Sequence, residues 1–381
     1  MSVLGDSIST RVRMDASMAG LALLKYLCRA SECSMSTPRM KRAVATVAPQ
    51  SAAVGRSVPL YTSVDQHPDN RTREQVAMKF GGSVWTFNWQ PPYDDGLRTI
   101  AACGLKAAEL IAWRREVLDS YYTLDTIRHL RTLLDDLGLE LSEFVSTPRG
   151  LASEDQKDRD GAVEHFRAMV DTARALGTDM VNSVSPNAFN LDMPRIMDKP
   201  TAQEWGVDLP RGLDWNANWN AYVETTARCC EIAEENGVRW ALEPHPYRWV
   251  RNTGSMLRLI DSVGSPALGM NFDPSHLFPS GEISEQAVYE LGDRLFHAHF
   301  SDNDGTTNAH WRPGKGKIDW RAVMVAMHDV GFDGVISIEL EDVPGTAGAN
   351  DGVATDAFAR EVELSVEYLS DICQDEGIPL D

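Results

Sequence analysis

This α/β sequence predicts a (β/α)8 TIM barrel with an irregular amino-terminal extension. Three observations carry that expectation. Short apolar runs alternate with helix-period segments eight times between Val76 and Ile372, and such alternation implies right-handed βαβ units around a parallel sheet. Glycines stop the helical segments just ahead of the next run, at Gly104, Gly138, Gly177, Gly237 and Gly331. No Gly-x-Gly-x-x-Gly follows any of the runs. This counts against an open dinucleotide-binding sheet and leaves closure of the eight units as the simpler architecture.

Residues 1–75 read differently from 76–381. The first segment is rich in Ser, Ala, Thr and Arg and holds ten Lys/Arg against six Asp/Glu. Its apolar run, Leu21 to Cys28, is short and broken by Lys25. The expectation is a disordered extension, a leader, or an upstream start, since Met78 directly precedes the first convincing strand. The catalytic domain is expected in 76–381.

In that domain Val76–Trp85 reads as the first strand, and Pro91-Pro92 and an acidic pair lead into a short helix reaching Cys103. Leu105–Ile111 is the second strand. Leu124, Ile127, Leu130, Leu134 and Leu137 mark a helix by their spacing. Leu139–Ser146 is the third strand, ended by Pro148, and Ala162–Leu176 a helix. Asp179–Val184 is the fourth strand, ended by Pro186. A long loop with Pro194, Pro200 and Pro210 follows, then a helix over Trp215–Asn236. The second half repeats the pattern: strand to His245, helix Ser255–Val263, strand Ala267–Phe272, helix Glu282–Leu291, strand Arg294–Phe300, helix Trp320–Val330, strand Gly334–Leu340, helix Asp356–Ile372.

Composition narrows the function classes. With 36 Lys and Arg against 56 Asp and Glu, the formal net charge is −20 at pH 7, which opposes binding to nucleic acid or an anionic membrane. No apolar run approaches the length that spans a bilayer. The six cysteines follow no ladder of spacings, and Cys229 and Cys230 are adjacent within a helix. A reduced, cytoplasmic protein is expected.

The chemistry gathers in the last four strands. Glu243, Asp273, His299 and Glu339 each stand at or just past the carboxyl end of an apolar run, on consecutive strands. In a barrel all such ends meet at one mouth. Three carboxylates crowded together raise one another's pKa unless a cation joins them. Three oxygens and one imidazole, without thiolate, suit one divalent ion: Mn²⁺ or Mg²⁺ ahead of Co²⁺ or Zn²⁺. His245 is either a base beside the metal or an imidazole packed between prolines. Asp273-Pro-Ser-His276 turns His276 back over the mouth, and His297 lies one layer deeper. Asp302 and Asp304 either support the site or are loop acids. Trp113, Trp215, Trp219 and Trp311 either stack on a sugar or pack.

The order Leu-Glu243-Pro, Asn-Phe-Asp273-Pro-Ser-His276, His297-Ala-His299-Phe-Ser-Asp302, Pro-Gly-Lys-Gly-Lys-Ile-Asp-Trp320 and Ile-Ser-Ile-Glu339 resembles the xylose-isomerase-like TIM-barrel superfamily, above all its sugar phosphate isomerases and ketose 3-epimerases. The resemblance covers about residues 76–375 and is densest after 238. It implies that Glu243, Asp273, His299 and Glu339 ligate the metal. It also makes Glu243 and Glu339 the acid/base pair on opposite faces of the substrate carbon, with His276 holding a substrate oxygen. The implied reaction is isomerisation or epimerisation of a sugar by proton abstraction next to a carbonyl, through a metal-stabilised enediolate. A homo-oligomer or a small partner subunit is compatible with it.

Two departures matter. Where sugar 3-epimerases carry an arginine six residues after the histidine ligand, this chain has Gly305, with Arg312 as a substitute. His245, two residues past the first ligand, resembles the catalytic subunit of C-glycoside deglycosylases, which eliminate an aglycone from a 3-oxo-glucosyl (keto-sugar) substrate. A keto-inositol dehydratase shares the same first step. Apurinic-site endonucleases use this barrel too, but need more histidines and a basic groove. A non-catalytic sugar-binding barrel would not be expected to keep all four ligand positions.

Overall fold

A computed structural model of the chain describes residues 77–191, 209–341 and 356–381. The expectations for 1–75, and for Pro194 and Pro200 in the long loop, fall outside the described residues. Eight parallel strands close into a barrel in sequence order, with the eighth hydrogen-bonded to the first. They are β1 (Lys79–Ser83), β2 (Ala107–Ile111), β3 (Glu140–Val145), β4 (Met180–Val184), β5 (Arg239–Glu243), β6 (Leu268–Phe272), β7 (Leu295–Phe300) and β8 (Val335–Ile338). The helices around them are α1 (Asp94–Ala102), α2 (Arg115–Tyr121), α3 (Leu124–Leu137), α4 (Gln156–Leu176), α5 (Trp215–Glu235), α6 (Thr253–Val263), α7 (Pro274–Leu277), α8 (Ser284–Leu291), α9 (Trp320–Val330) and α10 (Asp356–Glu376).

Most strand residues are buried, as a sheet covered on one side by helices and filled on the other requires. Outward-facing aromatics lock helices onto strands: Phe166 of α4 packs on Trp240 of β5, and Trp320 of α9 on Phe300 of β7, with ring centroids 4.6 and 4.5 Å apart. The five glycine stops all take positive φ, from 63° at Gly237 to 104° at Gly177, the backbone turn that lets a helix end and a strand begin.

Three differences from the expected elements have local causes. β1 ends at Ser83, and Val84–Thr86 form a 3-10 turn that swings Trp85 over the barrel mouth. α2 forms over a mostly polar stretch lacking a clear apolar period, and only Leu118 in it is buried. α4 starts at Gln156, six residues earlier than expected, because Asp155 caps it by accepting from Lys157 N–H. Among the described residues Cys103, Cys229, Cys230 and Cys373 are free. No described helix is long and apolar enough to cross a membrane.

Candidate metal centre and active site

The mouth is built by strand ends that differ in how they stop. Glu243 closes β5, and Pro244 ends its ladder. His299 lies inside β7. Glu339 stands one residue past β8, its N–H still donating to Phe300 C=O at 3.2 Å. Asp273 stands one residue past β6 and caps α7: its Oδ1 accepts from Ser275 N–H at 2.8 Å and from Ser275 Oγ–H at 2.7 Å. Its other oxygen faces the site.

His299 is the hub. Its Nδ1 lies 2.8 Å from Glu243 Oε1 and 3.0 Å from Glu339 Oε2, and its Nε2 lies 3.1 Å from Glu109 Oε2 and 3.3 Å from Glu143 Oε1. Glu243, His299 and Glu339 each offer a ligand atom, all within 4.8 Å of one another. Asp273, the fourth expected member, groups instead with His276 and His310, whose Nε2 atoms are 3.5 and 3.4 Å from its Oδ2. His245 joins the two groups. Its Nε2 is 3.2 Å from Glu243 Oε2, and its ring lies over His276 with centroids 3.7 Å apart. His276 Nδ1 meets Asn308 Oδ1 at 2.8 Å.

Electrostatics show the strain of this crowding. Burial, with Glu339 and Asp273 adding, pushes Glu243 up to about 8 against the pull of His299. Burial alone would lower His299, yet Glu109, Glu339 and Glu243 hold its imidazole well above the usual range. Burial lowers His276 to about 4, while Asp273 overrides burial to raise His310 to about 10. Asp273 Oδ2 and Glu339 Oε2 are buried and accept no well-directed hydrogen bond. Unsatisfied carboxylate oxygens beside an imidazole are what a divalent ion would satisfy, so the donor set fits the expected metal.

Several contributors lie outside the sequence expectation. Trp85 Nε1–H donates to Glu339 Oε1 at 2.7 Å and so fixes which oxygen is left free. Asn271 Nδ2–H donates to Glu243 Oε1 at 3.1 Å. Arg248, lowered to about 10 by burial although Glu243 opposes this, donates to Ser185 C=O at 2.8 Å. His310 arrives on the loop after β7. Asp302 holds that loop as a structural staple: its Oδ2 accepts from the N–H of Gly314 and Gly316 and from Trp320 Nε1–H, each at 2.9 Å. A Cβ at Gly316 would run into Asp302 Oδ1 and Asn303 C=O, which explains the Gly-Lys-Gly stretch. Asp304 instead caps a turn at Thr306. Arg312 is engaged by Glu361 at 3.0 Å. Trp113 packs on Trp89, and Trp215 and Trp219 pack on Trp249. Trp311 exchanges backbone hydrogen bonds with Asp302.

The sequence profile described as "Xylose isomerase-like TIM barrel" matches residues 97–361. Fructoselysine 3-epimerase of Escherichia coli O157:H7 is 34% identical over 128 residues, covering 33% of this chain and 46% of that protein. The chain spans about half the length of the curated relatives it matches. Among solved structures, D-psicose 3-epimerase with D-tagatose, from Clostridium cellulolyticum H10, superposes with a TM-score of 0.61 at 17% identity, covering 77% of this chain and 99% of that one. The apo form of 3-keto-D-glucoside 4-epimerase from E. coli superposes with a TM-score of 0.59 at 15% identity, covering 77% and 99%.

Proposed function

The chain belongs to the xylose isomerase-like TIM barrel family, and we propose that it is a divalent-metal-dependent sugar isomerase or epimerase that removes a proton next to a carbonyl. One observation carries the reading: two buried carboxylates, Glu243 and Glu339, reach His299 Nδ1 from strands β5 and β8 at 2.8 and 3.0 Å. The relative named as a fructoselysine 3-epimerase supports the epimerase side.

Glu243, His299 and Glu339 would hold one ion, Mn²⁺ or Mg²⁺ by donor type ahead of Co²⁺ or Zn²⁺, and Asp273, which stands with His276 and His310, would have to turn its Oδ2 toward it to be the fourth ligand. Bound there, the ion supplies Lewis acidity that stabilises negative charge on a substrate oxygen. The protein's own groups do the proton work. Glu243 takes the α-proton on one face and Glu339 returns one on the other, or the reverse. Trp85 orients Glu339 for this by binding Oε1. His276, neutral because burial lowers it to about 4, gives its Nδ1–H to Asn308 and so presents Nε2 as an acceptor for a substrate hydroxyl. Return of the proton to the same carbon epimerises; return to its neighbour isomerises.

A second reading rests on His245, whose Nε2 lies 3.2 Å from Glu243 Oε2. An imidazole held neutral there by burial can serve as a base beside the metal, which suits elimination from a 3-oxo-glycoside or a keto-inositol. Solvent-deuterium exchange into ketoses and 3-oxo-glycosides tests both readings. The Mn²⁺-loaded protein should exchange an α-proton, and Glu243→Gln and Glu339→Gln should not. Exchange persisting in both variants at wild-type metal content removes the acid/base assignment. Loss on 3-oxo-glycosides alone in His245→Ala favours elimination.

A further inference from the structure

We propose that the barrel interior holds a second divalent-cation site, formed by Glu109, Glu143 and His297 beneath the mouth. Glu109 projects from β2, Glu143 from β3 and His297 from β7, and their exposures are 0, 0 and 1%. With His299 they each offer a ligand atom, all within 4.8 Å of one another. Glu109 Oε1, Glu143 Oε2 and His297 Nε2 are buried and have no hydrogen-bond partner.

The remaining atoms of these side chains are already committed. Glu109 Oε2 accepts from Ser83 Oγ–H and from His299 Nε2–H, each at 3.1 Å. Glu143 Oε1 accepts from Asn182 Nδ2–H at 2.8 Å. His297 Nδ1 meets Asn271 Oδ1 at 3.2 Å. Because Asn271 gives its NH₂ to Glu243, its oxygen is what faces His297. His297 therefore carries its hydrogen on Nδ1, and Nε2 is left with a lone pair. That lone pair lies 3.5 Å from the unpartnered Glu109 Oε1. Two acceptors facing each other in a sealed interior repel unless a cation or a proton lies between them. Two carboxylate oxygens and one imidazole nitrogen are a donor set for a first-row dication such as Mn²⁺ or Zn²⁺.

The side of His297 away from the mouth borders a cavity. This cavity, of about 810 Å³, opens at the amino-terminal ends of the strands, and Lys79, Ser142, Met180, Arg239 and His297 are among its lining residues. The lower ion would leave Glu109 Oε2 on His299, so that one carboxylate links the two ions and holds the His299 ring from below.

Crystals of the full chain, stripped with chelator and soaked in saturating Mn²⁺, test this through anomalous scattering at the manganese edge, with ions per chain counted in solution. The expected result is a peak between Glu109, Glu143 and His297 and two ions per chain, falling to one in Glu143→Gln and in His297→Gln. No peak there at saturating Mn²⁺ leaves a proton as the occupant and overturns the site, whether or not the variants fold. A peak at the mouth alone keeps the proposed function and removes this inference. A peak in the interior alone does the reverse.

Discussion

Above His299, the carboxylates of Glu243 and Glu339 stand at strand ends; below it, those of Glu109 and Glu143 stand in mid-strand. The upper pair keeps a little exposure, 5 and 7%, while both lower carboxylates are at 0%. The upper pair is also surrounded by groups that can exchange protons or meet a substrate, namely His245, His276 and His310. The lower pair meets Ser83, Asn182 and His297. In the proposed function, one imidazole thus separates a chemical set from a supporting set. On the proposed reading, burial of acids alone does not mark chemistry; a place at a strand end with some exposure does.

The sharpest way to break this division is to neutralise one acid on each side. Glu243→Gln or Glu339→Gln should lower turnover by about 10³-fold or more, the range of a lost general acid or base. Glu109→Gln should cost only about 10- to 100-fold, chiefly as weaker metal affinity, because it acts through His299. Steady-state kinetics at saturating Mn²⁺ separate the two: excess metal should restore most of the Glu109 variant's activity and none of the others'. Equal, unrescued losses would erase the distinction. Chelation with EDTA should abolish activity, and added Mn²⁺ should restore it. The metal needed for half-restoration should rise as pH falls, since carboxylate and imidazole ligands must shed protons to bind.

Trp85→Phe comes next. It removes the 2.7 Å hydrogen bond to Glu339 Oε1 but keeps most of the ring that edges His299. Loss of a charge-assisted bond of about 1.5–3 kcal/mol predicts a fall in kcat of roughly 10- to 100-fold with Tm little changed. A rise in KM alone would show that Trp85 serves substrate packing instead.

How much of this was legible in the sequence follows from the same division. The barrel was readable because its strands are apolar runs and its helices stop at glycines. Glu243, Asp273, His299 and Glu339 were readable because each interrupts the end of such a run. Asp273 divides its two oxygens: one caps α7, as a strand-end acid commonly does, and the other turns to His276 and His310. Glu109 hid inside Ala-Ala-Glu-Leu-Ile and Glu143 inside Glu-Leu-Ser-Glu-Phe-Val. A lone acid on the inward face of a buried strand was the available signal. His310 had no local signal: its place depends on the loop stapled by Asp302, a long-range arrangement that no periodicity encodes. Asp302→Ala should confirm that dependence by stranding the donors of Gly314, Gly316 and Trp320. It should destabilise the fold by about 2–4 kcal/mol in denaturant melts and lower activity through displacement of His310.

His165 sharpens the comparison from outside the site, with the smallest effect. It lies on α4, and its Nε2 is 2.8 Å from Ser146 Oγ, which itself donates to Ala112 C=O at 2.7 Å. The hydroxyl proton being spent on Ala112, His165 must donate its Nε2–H to the Ser146 oxygen, and the neutral ring is the form that fits. His299 meets carboxylates and is held charged; His165 meets a hydroxyl and is held neutral, lowered by burial and then by Arg115 to about 4 from 6.5. A folded pKa below the unfolded value means the unfolded chain binds the extra proton. The stabilisation is therefore complete above about pH 6.5 and is lost as pH falls toward 4, at no more than about 1.4 kcal/mol per pH unit. Urea melts of wild type and His165→Gln across that window should diverge at neutral pH and converge on acidification. Parallel curves would mean that His165 already shares its charge with Asp119 and Glu116, the two acids that oppose its depression.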